Sequence, residues 1–149
     1  MLAGDESALP AIATILERLP AAARADVVVE VAGPGADQAV DSRADVSVTW
    51  LHRNGHGDAP GARLAEAVHA FDWPATPVQV WAAGESLSMR AIRRHLRDDL
   101  TLPRERYEVL GHWRDRLTED QAIAVSDTAQ EAARAVGASD DEVEDAGQY

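Results

Sequence analysis

The sequence predicts an α/β fold of three layers, α/β/α, in which helices cover both faces of a mostly parallel five-stranded sheet and a further helix stands at the C-terminal end. Three observations lead there. Short apolar runs alternate with stretches of helical period along most of the 149 residues. Consecutive strands are joined through helices, as in βαβ units, which favours parallel pairing and right-handed crossovers. A chain of this length suits one domain and can bury roughly 70% of its unfolded surface, so its core needs no staple.

Residues 1–3, 27–32, 46–51, 78–83 and 107–110 read as strands, and residues 8–19, 63–71 and 86–100 as helices. The first helix gathers Ile12, Ile15, Leu16 and Leu19 on one face, and the third gathers Met89, Ile92, Leu96 and Leu100. Each therefore has one side to bury. Residues 33–45 are rich in glycine, proline and acids without a period, and read as a loop that carries at most a helical turn. Thr118-Glu119-Asp120-Gln121 matches a capping box. Ala122, Val125, Ala129, Ala132 and Val136 then recur at three- and four-residue spacing before Gly137, which predicts a helix with a thin alanine-rich stripe. It would dock on its own domain or on a partner, and packing on its own domain is the favoured reading. The organisation expected is a main domain over 1–116, a C-terminal helix over 117–138 and an acidic, disordered tail over 139–149.

Composition narrows the function classes. There is no cysteine, which removes disulfides, thiolate metal sites and cysteine nucleophiles together. The net charge is -12, all basic residues are arginine, and the acids concentrate beyond residue 114. That charge opposes nonspecific binding to nucleic acid or to anionic membranes. No stretch is long and apolar enough to span a bilayer, and the N-terminal Met1-Leu2-Ala3-Gly4-Asp5-Glu6 lacks the pattern of a secretion signal, so a cytoplasmic location is expected.

Two turns resemble each other. Gly4-Asp5-Glu6-Ser7 ends the first strand and opens the first helix, with Ser7 as a plausible N-cap and Pro10 in the first turn. Gly84-Glu85-Ser86 does the same after the fourth strand. In an open parallel sheet ligands bind at such carboxyl ends, where helix N-termini present N–H groups to anions. The pair suits a pyrophosphate and its neighbouring ring, with Gly4 letting a cofactor approach the backbone. The plainer reading is two capped helices. Gly84-Glu85-Ser86-Leu87-Ser88 departs from the serine-hydrolase elbow at its second glycine, which counts against that chemistry.

Gly111-His112-Trp113-Arg114 places an aromatic and a cation after the last strand, suited to stacking on a ring and attracting an anion. Arg53, at the end of the third strand, is where an arginine receives the 2′-phosphate of NADP in dinucleotide-binding folds. His52, His56 and Asp58 share a glycine-rich loop and read as solvated side chains, so no metal site is assigned. Arg90, Arg93, Arg94 and Arg97 read as an exposed, salt-bridged helix face.

Taken in order, the segment from Ala3 to Ile12, Glu30-Val31-Ala32, Trp50-Leu51-His52-Arg53, Ala83-Gly84-Glu85-Ser86, Arg93-Arg94-His95-Leu96-Arg97 and Gly111-His112-Trp113-Arg114 resemble the C-terminal domain of siderophore-interacting proteins. The resemblance covers residues 1 to about 116. It implies the NAD(P)H-binding α/β domain of a ferric-siderophore reductase of the ferredoxin-reductase superfamily. In that family an FAD-binding β-barrel precedes this domain, and electrons pass from NAD(P)H through FAD to ferric iron. Gly4, Asp5, Glu6 and Ser7 would line one side of the nucleotide and Gly84, Glu85 and Ser86 the other. Trp113 would sit near the flavin, and Arg114 would attract an anionic ferric siderophore. The barrel is not part of this sequence, so FAD is expected only with a partner protein or a further domain. His112 stands where the family usually has tyrosine, and Asp115-Arg116 where it has a basic residue and glycine. A noncatalytic interaction protein that keeps the fold is the alternative.

Overall fold

Five strands, β1 (Leu2–Asp5), β2 (Arg24–Val31), β3 (Asp45–His52), β4 (Val80–Glu85) and β5 (Tyr107–Trp113), form one sheet in the order β3-β2-β1-β4-β5 in a computed structural model that describes residues 1–55, 57 and 59–147. All four pairings are parallel, so the sheet is parallel throughout. The helices are α1 (Leu9–Arg18), α2 (Ala62–His69), α3 (Ser86–Arg94), α4 (Glu119–Ala135) and α5 (Asp140–Ala146).

The order explains which face each helix covers. From β1 to β2 to β3 the chain moves one way across the sheet, and from β4 to β5 it moves the other way. Right-handed crossovers then put the first connections on one face and the later ones on the opposite face. Accordingly Leu9, Ile12 and Leu16 of α1 pack with Leu2, Val27, Val29 and Val31, joined by Ala36 and Val40 of the loop. Leu64 and Val68 of α2 and Met89 and Ile92 of α3 pack with Ala3, Val28, Val80, Ala82 and Val109 on the other face. The run Val27-Val28-Val29 is apolar without alternation because both sides of a central parallel strand are covered. Burying a side chain such as Leu16 contributes roughly 1.5–3 kcal/mol.

The period of two along β2 puts Glu30 on the α2 face with Val28. It is fully buried there and accepts hydrogen bonds from Gly61 N at 2.7 Å and Leu64 N at 3.0 Å, satisfying free amides at the start of α2.

Three expectations change. Arg93 is buried and donates to Val109 O, so the arginines of α3 are not one exposed face. Among the described residues of the expected α4 stripe, Val125 and Ala132 are exposed and Val136 is 83% exposed, so the domain does not cover them. An alanine-rich stripe offers too little apolar area to hold it down. The tail expected to be disordered carries α5, capped by Ser139 and Glu142 and held to α4 by a bond from Ser126 Oγ to Gly147 O. No described helix is long and apolar enough to cross a membrane.

Candidate functional site

The carboxyl ends of β1 and β4 lie side by side where the strand order reverses, which is where loops diverge in an open parallel sheet. The chain makes the same move twice there. Residues 1–9 and 81–89 pass through an identical succession of burial, so Gly4 matches Gly84, Asp5 matches Glu85, and the exposed Ser7 matches the exposed Leu87.

Asp5 is the centre of the site and is only 1% exposed. Its Oδ1 accepts hydrogen bonds from Ser7 N at 2.9 Å and from Ser7 Oγ; its Oδ2 accepts them from Glu85 N at 2.9 Å and Trp113 Nε1 at 2.8 Å. Four donors from three elements thus converge on one carboxylate. Ser7 Oγ also lies 2.8 Å from His112 Nε2. The hydroxyl has one proton and directs it to Asp5, so it accepts from His112, whose Nε2 carries the hydrogen in this arrangement.

Glu85, at 3% exposure, accepts from Ser88 N at 3.0 Å and caps α3. Ser86 Oγ donates to Trp113 O at 2.9 Å, tying α3 to β5. Between β4 and β5 the register slips: Gly84 faces Gly111 but Glu85 faces Trp113. The extra residue is His112, and this bulge turns it toward Ser7.

Beside this centre, Arg53 Nη2 donates to Glu6 Oε1 and Oε2 at 2.8 and 2.7 Å, and its Nη1 donates to Glu30 Oε1 at 3.2 Å. Ala32 N also donates to Glu6 Oε1. Burial works against the Arg53 charge, but hydrogen bonds and charge from Glu6 and Glu30 outweigh it and hold the guanidinium above its ordinary value.

The structure therefore brings Gly4, Asp5, Glu6, Ser7, Arg53, Gly84, Glu85, Ser86 and Trp113 to one edge, and it changes what several of them do. Asp5 caps the 3-10 turn Glu6–Ala8 that leads into α1 and Glu85 caps α3; α1 itself starts after Ala8 without a side-chain cap, where Ser7 was the expected cap. A Cβ at Gly4 would lie 2.5 Å from Ala8 Cβ and 2.9 Å from Ala83 O, so this glycine makes room for the protein's own packing. The Arg53 charge is shared by two carboxylates, which opposes its expected use on a 2′-phosphate. Ser7, Leu87 and His112 are exposed, with Ser86 and Trp113 partly so. Leu87, 46% exposed on the first turn of α3, and Glu30 were missed; a lone acid within a valine run was the signal for Glu30.

Arg114 lines an open cleft of about 680 Å³ with Ser86, His112, Trp113, Ile123 and Asp127, between the end of β5 and α4. A larger cleft of about 930 Å³, among Met1, Leu19, Pro77 and Trp81, lies at the amino ends of the strands, where no helix N-terminus points. His52 Nε2 is paired with Asp37 Oδ1 at 2.7 Å, while His56 and Asp58 lie outside the described residues.

A family model described as siderophore-interacting protein matches residues 1–116. Ferric vibriobactin reductase ViuB of Vibrio cholerae is 30% identical over 122 residues, covering 80% of this chain and 44% of that protein. Ferric acinetobactin reductase of Acinetobacter baumannii is 25% identical over 117 residues, with 78% and 40% covered. A solved siderophore utilization protein from T. fusca is similar with a TM-score of 0.70 at 38% identity, covering 78% of this chain and 45% of that one. The chain spans less than half the length of these relatives.

Proposed function

The chain belongs to the siderophore-interacting protein family, and from that premise we propose that residues 1–116 bind NAD(P)H as the nucleotide half of a ferric-siderophore reductase. FAD is supplied by a flavin-binding domain outside these residues, on the same polypeptide or on a partner. The observation that carries this reading is the doubled strand–turn–helix corner at the reversal of strand order, with Ser7, Leu87 and His112 exposed on its outer side.

The residues fit a nicotinamide nucleotide in two tiers. Ser7, Ser86, Leu87, His112 and Trp113 have exposed surface and make the contacts. Asp5, Glu85, Gly4 and Gly84 are buried and position those residues, with Asp5 fixing Ser7 and Trp113 through hydrogen bonds. The bound nucleotide supplies the hydride; the protein orients the ring and shields it from water. Glu6 and Arg53 brace the first corner. Arg114, in the cleft beside Trp113, attracts the negative charge of a ferric siderophore.

Titration of the chain with NADH and with NADPH to millimolar concentration, monitored by amide chemical shifts, tests the binding. Shifts are expected at Ser7, Ser86, Leu87, His112 and Trp113, weakened by Ser7→Ala. An unchanged spectrum with both nucleotides would sink the reading. The exposure of Val125 and Val136 favours a second reading, a noncatalytic protein that docks a partner through α4. Its test is recovery of a defined complex that Val125→Asp abolishes while both nucleotides leave the spectrum unmoved.

A further inference from the structure

At the edge of the sheet opposite the candidate site, three ligand-type side chains converge. His69 is the last residue of α2, and His95 and Asp99 bound the π-helical turn at the end of α3. One ligand atom from each lies within 4.8 Å of the other two. His95 Nδ1 is 2.8 Å from Asp99 Oδ2, and His69 Nε2 is 3.8 Å from that same oxygen. The two imidazole rings are in contact, with centroids 3.7 Å apart and planes tilted by 31°.

The fold makes this meeting. Helices α2 and α3 pack on the same face and both return toward the amino ends of the strands, so their C-terminal ends come together. There Leu100 N reaches back five residues to His95 O at 3.1 Å, a wide turn of a kind that is frequent at functional sites. His95 is 7% exposed, on a helix side otherwise made of Met89, Ile92 and Leu96. Its Nε2 is buried and has no hydrogen-bond partner among the described residues. The nitrogen aimed at Asp99 therefore carries all of that ring's polar chemistry.

We propose that His69, His95 and Asp99 bind a divalent first-row transition ion of the zinc type. Two imidazole nitrogens and a carboxylate oxygen are ligands such an ion takes. Bonds of about 2.0–2.1 Å in a tetrahedral shell set neighbouring ligand atoms about 3.3 Å apart. The observed separations of 2.8 and 3.8 Å straddle that value, and the third pair of ligand atoms lies within 4.8 Å. His69 and Asp99 are exposed, which gives the ion a path in and leaves a fourth position to water. The ion joins the end of α2 to the end of α3 in a chain that has no cysteine for a covalent staple.

Calorimetric titration of the full chain with zinc sulfate tests this, with thermal melts in parallel. One ion per chain and a raised Tm are expected. His69→Ala and Asp99→Asn, both at exposed positions and checked for folding by circular dichroism, should each weaken binding more than about tenfold. The double variant His52→Ala/His56→Ala should bind as the parent does. Absence of zinc binding at micromolar concentration would overturn the proposal, as would binding that survives His69→Ala and Asp99→Asn or is lost in the double variant.

Discussion

Trp113 donates its indole N–H to Asp5 Oδ2 at 2.8 Å, joining residues 108 positions apart and tying the end of β5 to the end of β1 across β4. Asp5 is buried, so removal of that donor leaves part of its carboxylate unmatched away from water. Trp113→Phe keeps an aromatic ring but deletes the N–H together with part of the indole. The expected loss is about 1–3 kcal/mol in urea unfolding, accompanied by weaker nucleotide binding as the corner loosens. Unchanged stability would show that the indole merely rests against the site.

Gly84 is required by the same carboxylate. Its φ is +155°, and a Cβ there would lie 2.5 Å from Asp5 Oδ2 and 2.9 Å from Asp5 Cγ. Asp5 cannot yield, because four hydrogen bonds hold it. Gly84→Ala should cost about 1–3 kcal/mol, as overpacking of a well-filled site does. Gly35→Ala is the control: its Cβ meets nothing within 4 Å, and the change should stay within about 0.5 kcal/mol. Equal effects in the two variants would refute the crowding argument.

Arg53 holds Glu6 and Glu30 together, and its charge is shared between their two carboxylates. Arg53→Gln leaves Glu30 buried without its cation, at a cost of roughly 3 kcal/mol. Glu30 keeps its bonds from Gly61 and Leu64, so α2 should stay formed. The variant should change NADH and NADPH affinity by one common factor. A selective loss of NADPH would restore the 2′-phosphate role. The sign of the shift sets the pH dependence: the folded pKa of Arg53 is raised, so its contribution is full below the unfolded value and is lost only as pH rises through the folded one. Both lie above the working range, and the stability gap between parent and variant should hold from neutral to mildly alkaline pH.

The sheet, the three helices that pack on it and the two Gly–acid turns were legible because period and turn chemistry are local. What those turns do was not. Asp5 acts through Glu85 and Trp113, far along the chain, and no local pattern distinguishes a buried carboxylate that organises a corner from one that faces a ligand. The bulge at His112 is likewise invisible in Tyr107-Glu108-Val109-Leu110, since it arises from how β5 pairs with β4. His95 and Asp99 stand at i, i+4 within a run that read as basic, and His69 joins them only through the packing of α2 on α3. The regular spacing of Val125, Ala129, Ala132 and Val136 signalled a helix correctly but not a docked one, because periodicity shows which residues share a face and not whether anything covers it.

That uncovered stripe separates the domain over residues 1–116 from helices α4 and α5. Among the described residues, neither core cluster contains one beyond 116. Of residues 117–149, Val143 is the buried apolar one among those described, and it lies on α5, which packs with α4. A chain ending at Arg116 therefore loses little apolar burial from the sheet and its helices. Its unfolding free energy should fall by less than about 1 kcal/mol, the range of changes that leave a core intact, with near-ultraviolet circular dichroism preserved. A loss of several kcal/mol would mean that α4 supports the end of β5 through the wall of the cleft it shares with Trp113 and Arg114. Nucleotide affinity read on the same truncated chain then tells whether that wall matters for the site: equal affinity assigns the binding to residues 1–116 alone, and a drop with stability unchanged assigns part of it to α4.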